Sequence, residues 1–136
     1  MIRQIVKDPF FLQQISKQAT KEDLSIGKDL QDTLSFHREH CLGLAANMIG
    51  ESKRVIIISI GFVDLLMFNP KLVKKTKPYV TEESCLSLSG NQKTQLYQKI
   101  TVEYLDLNWR KKSLSLNGLA AQICQHELDH LDCILI

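Results

Sequence analysis

Glycine and proline are scarce in this chain, six and three among 136 residues, and aromatic residues make up only 7%. Those counts exclude a collagen-like repeat and a low-complexity tail. An excess of one charge is missing too. Seventeen basic residues against 15 acidic leave a formal net charge of +2, too little for a surface that gathers nucleic acid or an anionic membrane. No unbroken apolar run is longer than Val55–Ile58, so no segment spans a bilayer. Met1–Lys17 interrupts its apolar residues with Arg3, Lys7 and Asp8, so it has no signal-peptide core. The expectation is a cytoplasmic protein with neither a membrane nor a direct nucleic-acid partner. The four cysteines (Cys41, Cys85, Cys124, Cys133) contain no CxxC pair, which favours free thiols or a metal ligand over disulfides.

What is present is an ordinary globular composition, 44% hydrophobic and 24% charged, without internal repeat or Gly/Ser linker. A chain of this size buries roughly two-thirds of its unfolded surface, enough for a core without staples. Residues 1–136 are therefore read as one domain. After an extended start at Ile5–Pro9, Thr20-Lys21-Glu22-Asp23 reads as an N-cap with acidic first-turn residues. Leu24, Leu30 and Leu34 then recur at helical spacing to about Glu39. Beyond Gly50 the pattern turns to strands. Arg54–Ile60 is β-branched, and Leu65–Phe68 is a second run that Asn69-Pro70 ends. Lys71–Lys75 reads as a solvated edge strand. Ile100, Val102 and Tyr104 alternate with polar residues, as do Leu114 and Leu116, which predicts an antiparallel hairpin with Trp109 at its tip. Leu119 to about Cys133 reads as a buried helix. Strands followed by a helix imply an α+β fold, with antiparallel or mixed sheets packed around the C-terminal helix and a helix near the N-terminus.

That last helix carries His126-Glu127-Leu128-Asp129-His130, an HExxH motif. Positions i and i+4 stand on one helix face, one turn apart, so two imidazoles there can share one divalent ion. Glu127 sits beside them, where a carboxylate can take a proton from activated water. Chance would place the motif in a chain of this composition roughly 0.6% of the time. Two histidines leave an ion short of ligands, since catalytic zinc-type sites usually show three from protein. Only six residues follow His130, so the third ligand is expected upstream. Cys133 lies about 10 Å along the axis from His126, too far to share an ion with both histidines. Asp129 is short and suits hydrogen bonding around the ligands, and Cys124 points away from the histidine face. Cys41 abuts a Gly-Leu-Ala-Ala run suited to tight backbone packing and stays open. Cys85 is the best candidate, in the polar stretch Glu82-Glu83-Ser84-Cys85-Leu86-Ser87, read as a loop leading into an extended segment.

Three segments in order, Gly43-Leu44-Ala45-Ala46-Asn47-Met48-Ile49-Gly50, Glu83-Ser84-Cys85-Leu86-Ser87 and Gln125-His126-Glu127-Leu128-Asp129-His130-Leu131, resemble the three motifs of peptide deformylases. Phe68-Asn69-Pro70-Lys71 is similar to the same family, and the resemblance spans essentially the whole chain. It implies ligation of one divalent ion by Cys85, His126 and His130, with Glu127 as general base and acid. The ion it implies is Fe²⁺, with Ni²⁺, Co²⁺ or Zn²⁺ as substitutes. The implied reaction removes formate from N-formylmethionyl nascent peptides, at the ribosome. The Leu86 backbone N–H would be a donor to the oxyanion, and Gly43, Leu44 and Glu83 would contact substrate.

Three departures stand out. Met48 occupies the place of a glutamine whose amide would donate to the oxyanion, which a thioether cannot do. Loss of one such donor costs roughly 10²–10³ in rate. Asn47 could substitute only if the backbone slipped by one residue. Cys41 and Ser84 stand where glycines are expected, and Leu96 where an arginine would face Glu83. Two readings follow: a working deformylase, or a deformylase-like protein that keeps its metal site but turns over little and acts in metal or peptide binding.

Overall fold

The helix foreseen near the N-terminus forms because Asp23 turns its carboxylate back onto the Thr20 N–H at 2.8 Å, closing a 3₁₀ turn over Lys21–Asp23. The computed structural model describes all residues but 13, 40, 62, 85–90 and 133–136. In it, a single helical turn, α1 (Pro9–Leu12), precedes α2 (Leu24–Phe36). Ile26, Leu30, Thr33 and Leu34 form the buried stripe of α2, spaced as one face of a helix requires. Gly27 lies on the same face because nothing larger fits. A Cβ there would stand 2.6 Å from Leu66 Cδ2 and 2.8 Å from Phe68 Cζ.

Five strands follow: β1 (Gly43–Ala45), β2 (Val55–Ser59), β3 (Asp64–Ser84), β4 (Asn91–Leu105) and β5 (Lys111–Asn117). They pair antiparallel in chain order as one sheet, and α3 (Gly118–Leu131) closes the order. This is the expected α+β arrangement, with antiparallel pairing throughout the five strands. All five residues of β2 are buried, so both of its faces are covered, and α2 and α3 both pack on it. The expected hairpin is present, pairing Ile100 with Leu116 and Val102 with Leu114. At its tip Asp106 accepts the N–H groups of Asn108 and Arg110 at 2.9 and 3.0 Å, which holds its carboxyl below the usual range, the Arg110 bond contributing most. Trp109 packs back on the core, its ring 5.5 Å from that of Phe68.

Two expectations are corrected. Asn69-Pro70 does not end a strand; β3 runs through it with a register shift between Phe68 and Lys71. Asn69 takes a φ of 52°, a conformation that asparagine tolerates, and its amide exchanges hydrogen bonds with the backbone of Ala19 at 2.6 and 2.9 Å. The punctuation in the sequence therefore produces a bulge. The stretch Glu82–Ser84, expected as loop, is also strand, in register with Asn91–Lys93 of β4. Lys71–Lys75 does lie on an edge: β2 pairs with β3 only as far as Phe68, and beyond it β4 is the sole strand partner among the described residues. Among those residues no helix is long and apolar enough to cross a membrane.

Candidate metal centre

Helix α3 begins where Asn117, in extended conformation, leaves β5. Its buried residues include Ala121, Cys124 and Gln125, then His126, Glu127, Leu128 and His130. Charged and polar groups are rarely so enclosed unless they are paired or bind a metal. The rings of His126 and His130 lie 5.0 Å apart at 70°, one turn apart on the helix as the spacing predicted. Burial, and then the neighbouring His126, push the His130 imidazole down to about 3. A neutral ring with a lone pair is the form that coordinates an ion. The donor chemistry thus fits a divalent metal. Among the described residues no third His, Cys, Asp or Glu joins the pair. The expected third ligand, Cys85, and the expected oxyanion donor, Leu86, lie outside the described residues.

Glu127 is 3% exposed and packs against the backbone of β1. A Cβ on Gly43 would come within 3.0 Å of Glu127 Oε2 and 2.9 Å of Ile123 Cγ2, so β1 reaches the carboxylate only because residue 43 has no side chain. Leu44, expected at the substrate, is fully buried, paired with Ile57. Glu83, also expected there, stands in β3 opposite Gln92. Leu96, which holds the place of an arginine facing Glu83, pairs instead with Tyr79 and is buried. Met48 is buried in the 3₁₀ turn Ala46–Ile49, and its sulfur accepts the Ala45 N–H at 3.4 Å. The neighbouring Asn47 is no substitute oxyanion donor, because its amide donates to the carbonyl of His130 at 2.9 Å.

The remaining cysteines and histidines among the described residues have local surroundings of their own. Burial, then the charge of Glu127, push the Cys124 thiol up to about 12, so it stays protonated among apolar neighbours. The Cys41 thiol donates to the Gly43 carbonyl at 2.8 Å. His37 stacks edge-on against Phe36 at 5.0 Å, while His40 and Cys133 lie outside the described residues.

Gln125 stands in the third motif, but the sequence assigns it no role of its own. Its side chain accepts the N–H of Tyr97 at 2.8 Å and donates to the C=O of Tyr97 at 2.7 Å. Tyr97 lies two residues beyond Lys99, where the pairing with β5 ends. The amide therefore takes the place of the missing strand and fixes the start of the HExxH turn against the sheet. A polar residue in an otherwise buried helical stretch was the available signal. Gln125→Ala strips partners from two backbone groups and is expected to cost about 1–3 kcal/mol of stability. Urea unfolding monitored by circular dichroism measures it, and an unchanged midpoint would refute the tether.

Two buried imidazoles one turn apart, with a buried carboxylate between them in sequence, on a helix held to an antiparallel sheet, form the pattern of a metal-dependent hydrolase. Residues 2–136 match the polypeptide deformylase family. A peptide deformylase from Clostridium beijerinckii is 54% identical over 136 residues, covering 100% of both chains. One from Dictyoglomus thermophilum is 33% identical, over 100% of this chain and 91% of the relative. Among solved structures, a peptide deformylase from Legionella pneumophila superposes with a TM-score of 0.89 at 33% identity, covering 99% of this chain and 83% of that one. The Thermotoga maritima peptide deformylase gives 0.88 at 28%, covering 99% and 95%. The chain belongs to the polypeptide deformylase family, and its activity is deformylation, the hydrolytic removal of a formyl group from a peptide N-terminus. The alternative of a metal site with little turnover gains no support over that activity from these relatives.

Proposed function

We propose that residues 1–136 act as one catalytic unit in which Cys85, His126 and His130 hold a single divalent ion and Glu127 moves the proton. The observation that carries this reading is the buried pair of imidazoles with Glu127 enclosed beside them. The ion proposed is Fe²⁺, with Ni²⁺, Co²⁺ or Zn²⁺ able to replace it. When bound, it supplies Lewis acidity that polarises the formyl carbonyl and acidifies water. Glu127 accepts a proton from the attacking water as the new C–O bond forms at the formyl carbon. It returns that proton to the amine nitrogen as the C–N bond breaks, releasing formate and a free N-terminus. The Leu86 N–H stabilises the oxyanion. Met48 contributes no donor, since its thioether has none and its sulfur already accepts the Ala45 N–H.

The substrate is the N-formylmethionyl end of a nascent peptide, met in the cytoplasm at the ribosome. Gly43, Leu44 and Glu83 are proposed to contact its backbone. A mostly apolar groove of about 370 Å³, lined by Leu42, Ile60, Leu119, Ala120 and Ile123 together with Arg38, Ser59 and Gly61, supports this reading. It shares Ile123 with the wall that Gly43 and Glu127 form, and its size and character suit an unbranched thioether side chain.

The test is formate release from formyl-Met-Ala-Ser by protein loaded anaerobically with Fe²⁺ or Ni²⁺. Turnover is expected, is lost on chelation, and returns with added metal. Protein that binds the metal stoichiometrically but releases no formate would overturn the proposed chemistry.

A further inference from the structure

We infer that Asn47 is a positioning residue of the metal centre, holding His130 at its place through the His130 carbonyl; this rests on the reading of His126 and His130 as ligands. His130 is the second-last residue of α3, in the turn of a helix that frays most readily. A ligand there needs an anchor, since metal sites tolerate displacements of only about 0.5 Å. The last four carbonyls of a helix lack intrahelical partners. In α3 the Asp132 N–H is shared among the carbonyls of Leu128, Asp129 and His130, at 3.2 and 3.1 Å from the first two, and that of Leu131 accepts the Ser16 N–H at 3.3 Å. The carbonyl of His130 accepts Asn47 Nδ2 at 2.9 Å, and among the described residues it is the one of the four held by a side chain.

The anchor point is itself fixed. Asn47 is 0% exposed, and the backbone on both sides of it is tied to other segments. Glu51 donates to the Ala46 carbonyl at 3.0 Å, Val6 to that of Met48 at 2.7 Å, and Arg3 to that of Ile49 at 3.0 Å. A rigid turn therefore reaches 83 residues along the chain to the backbone of one proposed ligand and stops there. Asn47 Oδ1, by contrast, has no hydrogen-bond partner among the described residues. An amide kept only for the stability of the core would be expected to use both ends; this one uses its donor alone, on His130.

That asymmetry sets the experiment. Asn47→Leu is close to isosteric and removes an unmatched buried oxygen together with the donor, so thermal stability of the metal-free protein changes by only a few degrees. Release of Co²⁺ or Ni²⁺ into a chelator is expected to quicken by about 10–100-fold, the range seen when groups orienting metal ligands are removed. The visible spectrum of the Co²⁺ form shifts, and kcat falls with KM little changed. Asn47→Ala, which adds no atoms, carries the same test should leucine prevent folding. Metal release within twofold of the parent, in a folded variant, would overturn the inference. His130→Ala is measured beside it. If that variant also keeps its metal, the ligand assignment fails; if it loses the metal while Asn47→Leu retains it, only the inference about Asn47 fails.

Discussion

Replacing Glu127 by glutamine lowers kcat for deformylation by about 10²–10⁴-fold, the usual worth of a positioned general base. The substitution keeps shape and volume in a position only 3% exposed, and it removes nothing from the proposed ligand set. What it removes is the ability to take a proton from water and give it back to the departing amine. Metal content, measured by elemental analysis, is therefore expected to match that of the parent, as is the circular dichroism melt. Single-turnover formate release isolates the chemical step from product release. A variant with kcat within tenfold of the parent would mean that another group moves the proton.

The second large effect falls on a residue with no side chain. Gly43→Ala places a Cβ 3.0 Å from Glu127 Oε2, 3.2 Å from Glu127 Cγ and 2.9 Å from Ile123 Cγ2. Either α3 backs away or the carboxylate turns, and both displace the proton carrier. Misplacement by about 1 Å costs on the order of 10²-fold in rate, so kcat is expected to fall by about that factor with metal still bound. Overpacking of this kind costs about 1–3 kcal/mol of stability as well. The contrast with Gly27 separates the two consequences. An added methyl there crowds Leu66 and Phe68 at 2.6 and 2.8 Å, in the core and away from Glu127, so its effect is on unfolding and not on turnover. Steady-state kinetics at saturating metal, run beside urea unfolding for both variants, checks the pair. Gly43→Ala with undiminished kcat would show that the contact with Glu127 is slack.

The features legible in the sequence share a short range. The His126/His130 face follows from helical periodicity alone, and the β4–β5 hairpin follows from alternation at Ile100–Tyr104 and Leu114–Leu116. The features that were misread depend on distant partners. Asn69-Pro70 carries the local chemistry of a strand end, and only the Ala19 backbone, 50 residues earlier, turns it into a bulge within a longer strand. Asn47 invited comparison with the oxyanion donor one position along, whereas its amide is spent on His130. Gly43 entered as a substrate contact by resemblance, and packing against Glu127 gives it a steric reason of its own. Resemblance supplied the role of Leu86, and Cys85 was reached as third ligand both from the residues and by resemblance; both lie outside the described residues.

The tethers of α3 also bear on the order in which the molecule is assembled. Ser16 and Asn47, which hold the last turn of the helix, and Tyr97, which holds its middle, all precede it in the chain. A 14-residue helix is marginal in isolation, so α3 gains its stability by docking onto a sheet already formed. Contacts this remote in sequence close late in folding. During synthesis the two histidines leave the ribosome after every segment that positions them. With the proposed ligands His126 and His130 on this helix, an unfinished chain lacks the proposed site, and binding of the proposed ion is coupled to completion of the fold.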